Sequence, residues 1–146
     1  MMKIKNVLKD KSRNAIFSVT SDSTVYDALV QMAEKNIGAV LVIDDGQLSG
    51  IFSERDYARK VILQGKASHD TKISEVMTSK LITVTSEQPL EIAMIIMSDK
   101  HIRHLPVFEA DELIGIISIN DVVSSIMKDQ KERIASLESY ISGNPY

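Results

Sequence analysis

Residues 16–62 and 81–127 align without a gap at a spacing of 65, with about 13 identities over about 47 positions, against roughly three expected from ordinary residue usage. Val19 meets Val84, Ala28 meets Ala93, Met32 meets Met97, Ile37 meets Ile102, Gly50 meets Gly115 and Asp56 meets Asp121. An internal duplication of this kind is a severe constraint, because any fold assigned to one copy must also serve the other.

Within a copy, Ile16 to Thr20 is short and β-branched and reads as a strand. Thr24 then precedes Val25, Ala28, Leu29 and Met32, the apolar stripe of an amphipathic helix that should end near Asn36. Ala39 to Ile43 is too short and too β-branched for another helix. Asp44-Asp45-Gly46 has turn chemistry, and Leu48 to Phe52 supplies the partner strand of a hairpin. Ser53 starts a second helix, with Tyr57, Ala58, Val61 and Ile62 as its expected buried face and Gly65 as its left-handed end. The unit is β-α-β-β-α. In the second copy Pro89 replaces Thr24 and is expected at the first helical position, where proline loses nothing by lacking an N–H.

Outside the repeat, Ile4, Val7 and Leu8 have the spacing of a short helical turn laid against something larger, and Ile73, Val76 and Met77 form a second version. The first copy is longer by about four residues between that turn and its strand, over Lys9 to Ala15. The polar, glycine-bearing linker from Gly65 to Lys72 makes the two units neighbours. Repeat 1 thus spans residues 1–66, repeat 2 spans 67–128, and a helical extension covers 129–146. In that extension Ile126, Ile134, Leu137 and Ile141 keep helical steps, with Gly143 and Pro145 closing it. It reads as a final helix packed on its own domain, with a dimerisation or partner-docking helix as the alternative.

Composition narrows the function classes. The 146 residues contain no cysteine, which removes disulfides, thiolate metal sites and cysteine nucleophiles and permits a reducing compartment. A net charge of −3 argues against nonspecific nucleic-acid binding. The segment from Met1 to Val7 has lysines with no apolar run behind them, unlike a secretory signal. Ala39 to Ile43 and Ile92 to Met97 are far shorter than the ~20 residues of a membrane span. The expectation is a soluble, cytoplasmic protein.

The chemistry-bearing phrase is Gly50-Ile51-Phe52-Ser53-Glu54-Arg55-Asp56, repeated as Gly115-Ile116-Ile117-Ser118-Ile119-Asn120-Asp121. Its bland explanation is a capping box, in which the serine caps the new helix and the aspartate reaches back to the serine N–H. Capping alone does not require glycine, hydroxyl and carboxylate at identical offsets in both copies. His101 and His104 stand three apart near Asp99, but no third ligand follows, so they read as structural or phosphate-facing histidines. No nucleophile–base pair is recognisable, and the chain is not read as an enzyme. Met32, Met94 and Met97 are expected to fill the core.

A tandem β-α-β-β-α repeat carrying G-h-h-[ST]-x-x-D at both strand–helix junctions resembles a pair of CBS domains, the adenosine-sensing Bateman module. The phrase from Gly50 to Val61 and the tail from Leu137 to Gly143 are similar to stand-alone CBS-pair proteins. The resemblance implies an α/β (α+β) fold, with two CBS repeats packed as one pseudo-two-fold module plus a C-terminal helix. It implies a regulatory sensor holding AMP, ADP, ATP or NAD(H) in two clefts, with no catalytic cofactor; S-adenosylmethionine is also used by relatives. A homodimer and an unidentified regulated protein would be its partners, with no nucleic acid and no membrane.

In the family the motif aspartate binds the ribose hydroxyls and the motif hydroxyl contacts the phosphate side. The resemblance therefore assigns Asp56 and Ser53 to one cleft and Asp121 and Ser118 to the other. Thr78, Lys80, Ile82, Ile102, Arg103 and His104 are expected to complete the Asp56 cleft, and Phe17, Ile37, Gly38 and Ala39 the Asp121 cleft. A helix N-terminus offers backbone N–H groups and a favourable dipole to a phosphate. With Arg55, Arg103, His104 and Lys80 on one side and Asn120, Gly38 and Ala39 on the other, the Asp56 cleft is expected to bind a charged nucleotide more tightly.

Overall fold

The computed structural model describes residues 2–10 and 16–141, so Gly143 and Pro145 lie outside the described residues. Repeat 1 runs β1 (Ser18–Val19), α2 (Val25–Lys35), β2 (Ala39–Asp44), β3 (Gln47–Ser53) and α3 (Glu54–Asp56), which continues as a π-helical turn over Tyr57–Ile62. Repeat 2 runs β4 (Val84–Thr85), α5 (Leu90–Lys100), β5 (His104–Glu109), β6 (Glu112–Ser118) and α6 (Ile119–Ile141). Short helices precede the repeats, α1 at Ile4–Asp10 and α4 at Ile73–Val76.

Each repeat builds a three-stranded sheet with its hairpin's first strand in the middle. β1 is parallel to β2 and β2 antiparallel to β3, and the same order joins β4, β5 and β6. Both hairpins slip register at the same place, between Val42 and Ile43 and between Val107 and Phe108. Such a bulge adds one residue to a strand and increases its twist. The hairpin turns differ chemically. Asp45 and Gly46 take φ of 49° and 76°, whereas repeat 2 places Ala110 and Asp111 at 49° and 66°.

The leading helices are exchanged between the repeats. The chain divides into two compact units, one of residues 16–82 and one joining 2–10 to 83–141. In the first unit, α4 docks on repeat 1 through Ile73 N–H to Ser23 O (2.8 Å) and Ser74 N–H to Ser21 O (3.0 Å). In the other unit, α1 makes the same pair of bonds to repeat 2, Ile4 N–H to Gln88 O (3.0 Å) and Lys5 N–H to Ser86 O (3.0 Å). Ile4, Val7, Ile73 and Val76 are buried by this docking, which is why so short a helix holds its place. The core of residues 16–82 gathers Val19, Val25, Ala28, Met32, Val40, Val42, Phe52 and Val61 with Ile73 and Val76. In the second unit, Ala93, Met97, Val107, Ile117 and Val122 are likewise buried.

Thr24 caps α2 by accepting the Asp27 N–H, and Asn36 ends it in the left-handed conformation. Pro89 is not the first helical residue. Its ψ of 146° makes it the N-cap, with no side-chain cap bond, and α5 starts at Leu90. The face expected after Ser53 is also corrected. Val61 is buried and Tyr57 half-buried, but Ala58 and Ile62 are exposed, because the π turn is wider than an α turn and re-phases the side chains. Met32 and Met97 fill the core, whereas Met94 is 41% exposed. The final helix departs from a tail packed on its own domain. Lys128 still pairs with Asp10 of α1 at 3.4 Å, yet Ile134, Leu137, Tyr140 and Ile141 are 55–84% exposed.

Candidate functional site

The glycine that opens each phrase is there because the exchanged segment crosses it. A Cβ on Gly50 would lie 2.8 Å from both the Met77 sulfur and the Thr78 carbonyl oxygen, and one on Gly115 would lie 3.0 Å from Cδ2 of Leu8. Thr78 is tied to the outer edge of β3 by two backbone bonds with Ile51, of 3.0 and 2.9 Å. Absence of a side chain at Gly50 thus lets Thr78 reach the motif.

Ser53 and Asp56 form a full capping box. The Asp56 N–H donates to Ser53 Oγ (3.2 Å), while Asp56 Oδ2 accepts the Ser53 N–H (3.0 Å) and hydroxyl (3.1 Å). Oδ1 faces the other way and accepts the Thr78 hydroxyl at 3.1 Å. Lys60 completes a triangle, its Nζ 3.1 Å from Oδ1 and 3.3 Å from Thr78 Oγ1. Asp56 is only 8% exposed, and a buried carboxylate demands this density of donors. Lys60 was not among the residues selected from sequence. Its signal was an acid and a base four apart on one helix.

Repeat 2 builds the same box, with Ser118 N–H to Asp121 Oδ2 at 2.8 Å and Asp121 N–H to Ser118 Oγ at 3.1 Å. At the place of Lys60 it has Ser125, which is 3% exposed. In both repeats the first helical N–H is already used. Glu54 donates to Gly38 O (3.0 Å) and Ile119 to Arg103 O (2.9 Å). The expectation of unengaged N–H groups at these helix starts is therefore corrected for the first and third positions.

These bonds also fix which strand lies beside which motif. Ala39 pairs with Ser53 in the β2–β3 register, and His104 pairs with Ser118 in the β5–β6 register. Gly38 and Ala39 are thus brought to Asp56's own box, and Arg103 and His104 to Asp121's own box. Ile37 packs on the core of the first unit, Phe17 O accepts the Leu41 N–H, and Lys35 Nζ stands 5.4 Å over the Phe17 ring. Ile102 donates its N–H to Met97 O in the second unit. Arg55 and Lys80 are exposed and Ile82 half-buried, all in the first unit. His101 ends α5 at φ 54°, the counterpart of Asn36, with its N–H on Met97 O. Among the described residues no cluster suited to a metal ion occurs, and no helix is long and apolar enough to cross a membrane.

Away from the boxes, two carboxyls are held below their ordinary values. Asp44 is lowered by the Ser21 N–H (2.9 Å) and then by the Ser49 hydroxyl (2.7 Å). Glu87 is lowered by hydrogen bonds from Lys3 (2.9 Å) and Lys5 (3.1 Å), which also tether α1.

Comparison with known proteins places this geometry. The CBS domain profile matches residues 6–62 and 73–128. The chain is 43% identical over 148 residues to the mitochondrial CBS domain-containing protein CBSX3 of Arabidopsis thaliana, covering 96% of this chain and 72% of that protein. A solved structure from Burkholderia ambifaria MC40-6, described as a signal-transduction protein with CBS domains, superposes with a TM-score of 0.85 at 45% identity and covers 88% of this chain and 96% of that one. The CBS domain pair of MJ0100, solved in complex with 5′-methylthioadenosine and S-adenosyl-L-methionine, gives a TM-score of 0.73 at 25% identity over 84% of this chain and 98% of that one. With the phrase present twice in the strand–helix setting that the fold requires, the chain belongs to the CBS-domain family as a tandem pair.

Proposed function

We propose that the protein is a regulatory sensor that binds an adenosyl ligand at its serine–aspartate boxes and does no catalysis. The observation that carries this reading is the Asp56 carboxylate, buried yet served on one oxygen by exchangeable side-chain donors, Thr78 and Lys60. A ribose diol offers the same kind of donor, so exchange costs little when hydroxyl replaces hydroxyl. Adenosyl compounds in the related MJ0100 pair support the ligand class.

AMP, ADP, ATP and NAD(H) are the ligands we favour, because each box has basic residues from its own repeat: Lys60 for Asp56, and for Asp121 His104 at the start of the neighbouring strand with Arg103 just before it. Ser53 and Ser118 take the phosphate side, with Arg55 inside the first phrase, Lys80 and Ile82 following Thr78 in the chain, and Phe17, Ile37, Gly38, Ala39 and Ile102 as the remaining lining. Ligand occupancy then changes affinity for a partner protein, which requires unequal binding to two states. A reducing compartment such as the cytoplasm suits a chain without cysteine.

Thermal melting against a panel of adenosyl compounds tests the reading. A compound bound at 100 times its dissociation constant adds about 2.7 kcal/mol, and Asp56→Ala and Asp121→Ala should each remove part of that shift. No shift with any adenosyl compound would leave the second reading, a ligand-free interaction module. That reading is favoured by one observation, the exposed Ile134, Leu137, Tyr140 and Ile141 on α6. The same face suits a homodimer, for which a chain ending at Lys128 should lose mass in sedimentation beyond that of the deleted residues.

A further inference from the structure

We infer that Lys60 sets the preference of the Asp56 box for a phosphorylated adenosyl ligand over the bare nucleoside. This rests on the adenosyl reading above and assigns a role within it. Two facts make Lys60 more than a surface ion pair. Its Nζ lies on the same oxygen, Oδ1, that Thr78 occupies, while Oδ2 is committed to Ser53. It also stands on the π-helical turn, Tyr57–Ile62, whereas the corresponding stretch of repeat 2 is regular α-helix with Ser125 in its place.

The consequence follows from what a diol must displace. Oδ2 holds the helix start together, so a sugar hydroxyl can reach Asp56 only through Oδ1, and there it competes with Thr78 and Lys60. Thr78 loses one hydrogen bond to the carboxylate and, carrying no charge of its own, can make another with the incoming hydroxyl. Lys60 loses its counter-charge. Its flexible stem carries a point charge that has to find another anion. A phosphate on the same ligand supplies one through a charge-assisted bond, and a neutral nucleoside supplies none. Lys60 therefore opposes adenosine and favours AMP at the Asp56 box, and the second box has Ser125 at that position.

A surface pair at this spacing with no further role would affect melting slightly and both ligands equally. The distinguishing experiment is calorimetric titration of adenosine and AMP into the full chain carrying Asp121→Ala, so that the Asp56 box is read alone, with melting curves confirming that each variant is folded. Lys60→Met in that background should lower the AMP-over-adenosine affinity ratio about tenfold, the scale of one charged hydrogen bond, and leave adenosine unchanged or tighter. Lys60→Arg should retain most of the ratio, and Lys60→Gln gives a polar variant should the methionine protein not fold. A ratio that stays constant in Lys60→Met, including a parallel loss for both compounds, overturns the inference. If the wild-type chain binds AMP but the Asp121→Ala background binds neither compound, the inference falls and the adenosyl reading stands. Silence of the wild-type chain towards every adenosyl compound removes both.

Discussion

Asp56 and Asp121 occupy one place in two copies of one fold, and their surroundings differ by what each repeat's partner segment and following helix bring. Thr78, delivered by the exchanged segment across Gly50, and Lys60, delivered by a π turn, both sit on Asp56. Around Asp121 the helix is regular, and the residue in register with its serine is His104. The duplicated phrase fixes the box; the residues that tune it come from places where the copies are no longer alike. Duplication preserves geometry and leaves charge free to diverge.

The largest test of this contrast is at the opening glycines. A methyl group at Gly50 meets a backbone carbonyl as well as a sulfur at 2.8 Å, whereas one at Gly115 meets only the end of a leucine side chain at 3.0 Å. Gly50→Ala should cost about 2–3 kcal/mol in denaturant unfolding and displace Thr78 from Asp56, while Gly115→Ala should cost about 1 kcal/mol or less. Equal losses would mean that the two crossings are not physically distinct.

The hairpin turns give the next effect. Asp45-Gly46 suits the left-handed dihedrals of a two-residue turn, and Ala110-Asp111 adopts them against the preference of an L-residue with a Cβ. Replacing Ala110→Asn and Asp111→Gly together should raise stability by about 1 kcal/mol, seen as a higher denaturation midpoint with unchanged slope. An unchanged midpoint would show that repeat 2 has absorbed the strain elsewhere.

The smallest effect is the acid response. Ser49, the extra residue of the first bulge, bonds Asp44; the second repeat has Ile114 there and Glu109 instead takes the Ser86 hydroxyl at 2.9 Å. Because the Asp44 and Glu87 carboxyls are depressed from ordinary values of 3.8 and 4.5, their contribution is present above those values and is lost as pH falls through the lower folded values. Asp44→Asn should therefore flatten the stability curve only below about pH 4, in melting followed from pH 6 to pH 3. A uniform loss at every pH would assign Asp44 a packing role instead.

Much of this architecture was legible before any coordinates. Local pattern places α2 with its end near Asn36, β2, β3 and the left-handed Gly65, since these depend on neighbours within a turn or a strand, whereas the left-handed conformation of Asn36 itself is seen only in the structure. The departures from local pattern have a common physical cause. Ala58 and Ile62 were placed on a buried face by assuming an α period, and only the hydrogen bonding of the folded chain reveals the π turn, as in Leu63 N–H to Ala58 O at 3.1 Å. Met94 has the composition of a core residue and a position outside it. Lys60 is inconspicuous in the sequence for a related reason, because a lysine four residues after an acid is common on any exposed helix.

What the sequence determined by itself was the duplicated unit and its serine–aspartate box, because identity at matched offsets and local capping chemistry need no long-range information. Tertiary structure alone decided that each leading helix serves the other repeat, that the motif glycine exists to let Thr78 or Leu8 pass, and that Lys60 closes on Asp56. Those are contacts between segments far apart in the chain or set by an irregular turn, and no local periodicity encodes them.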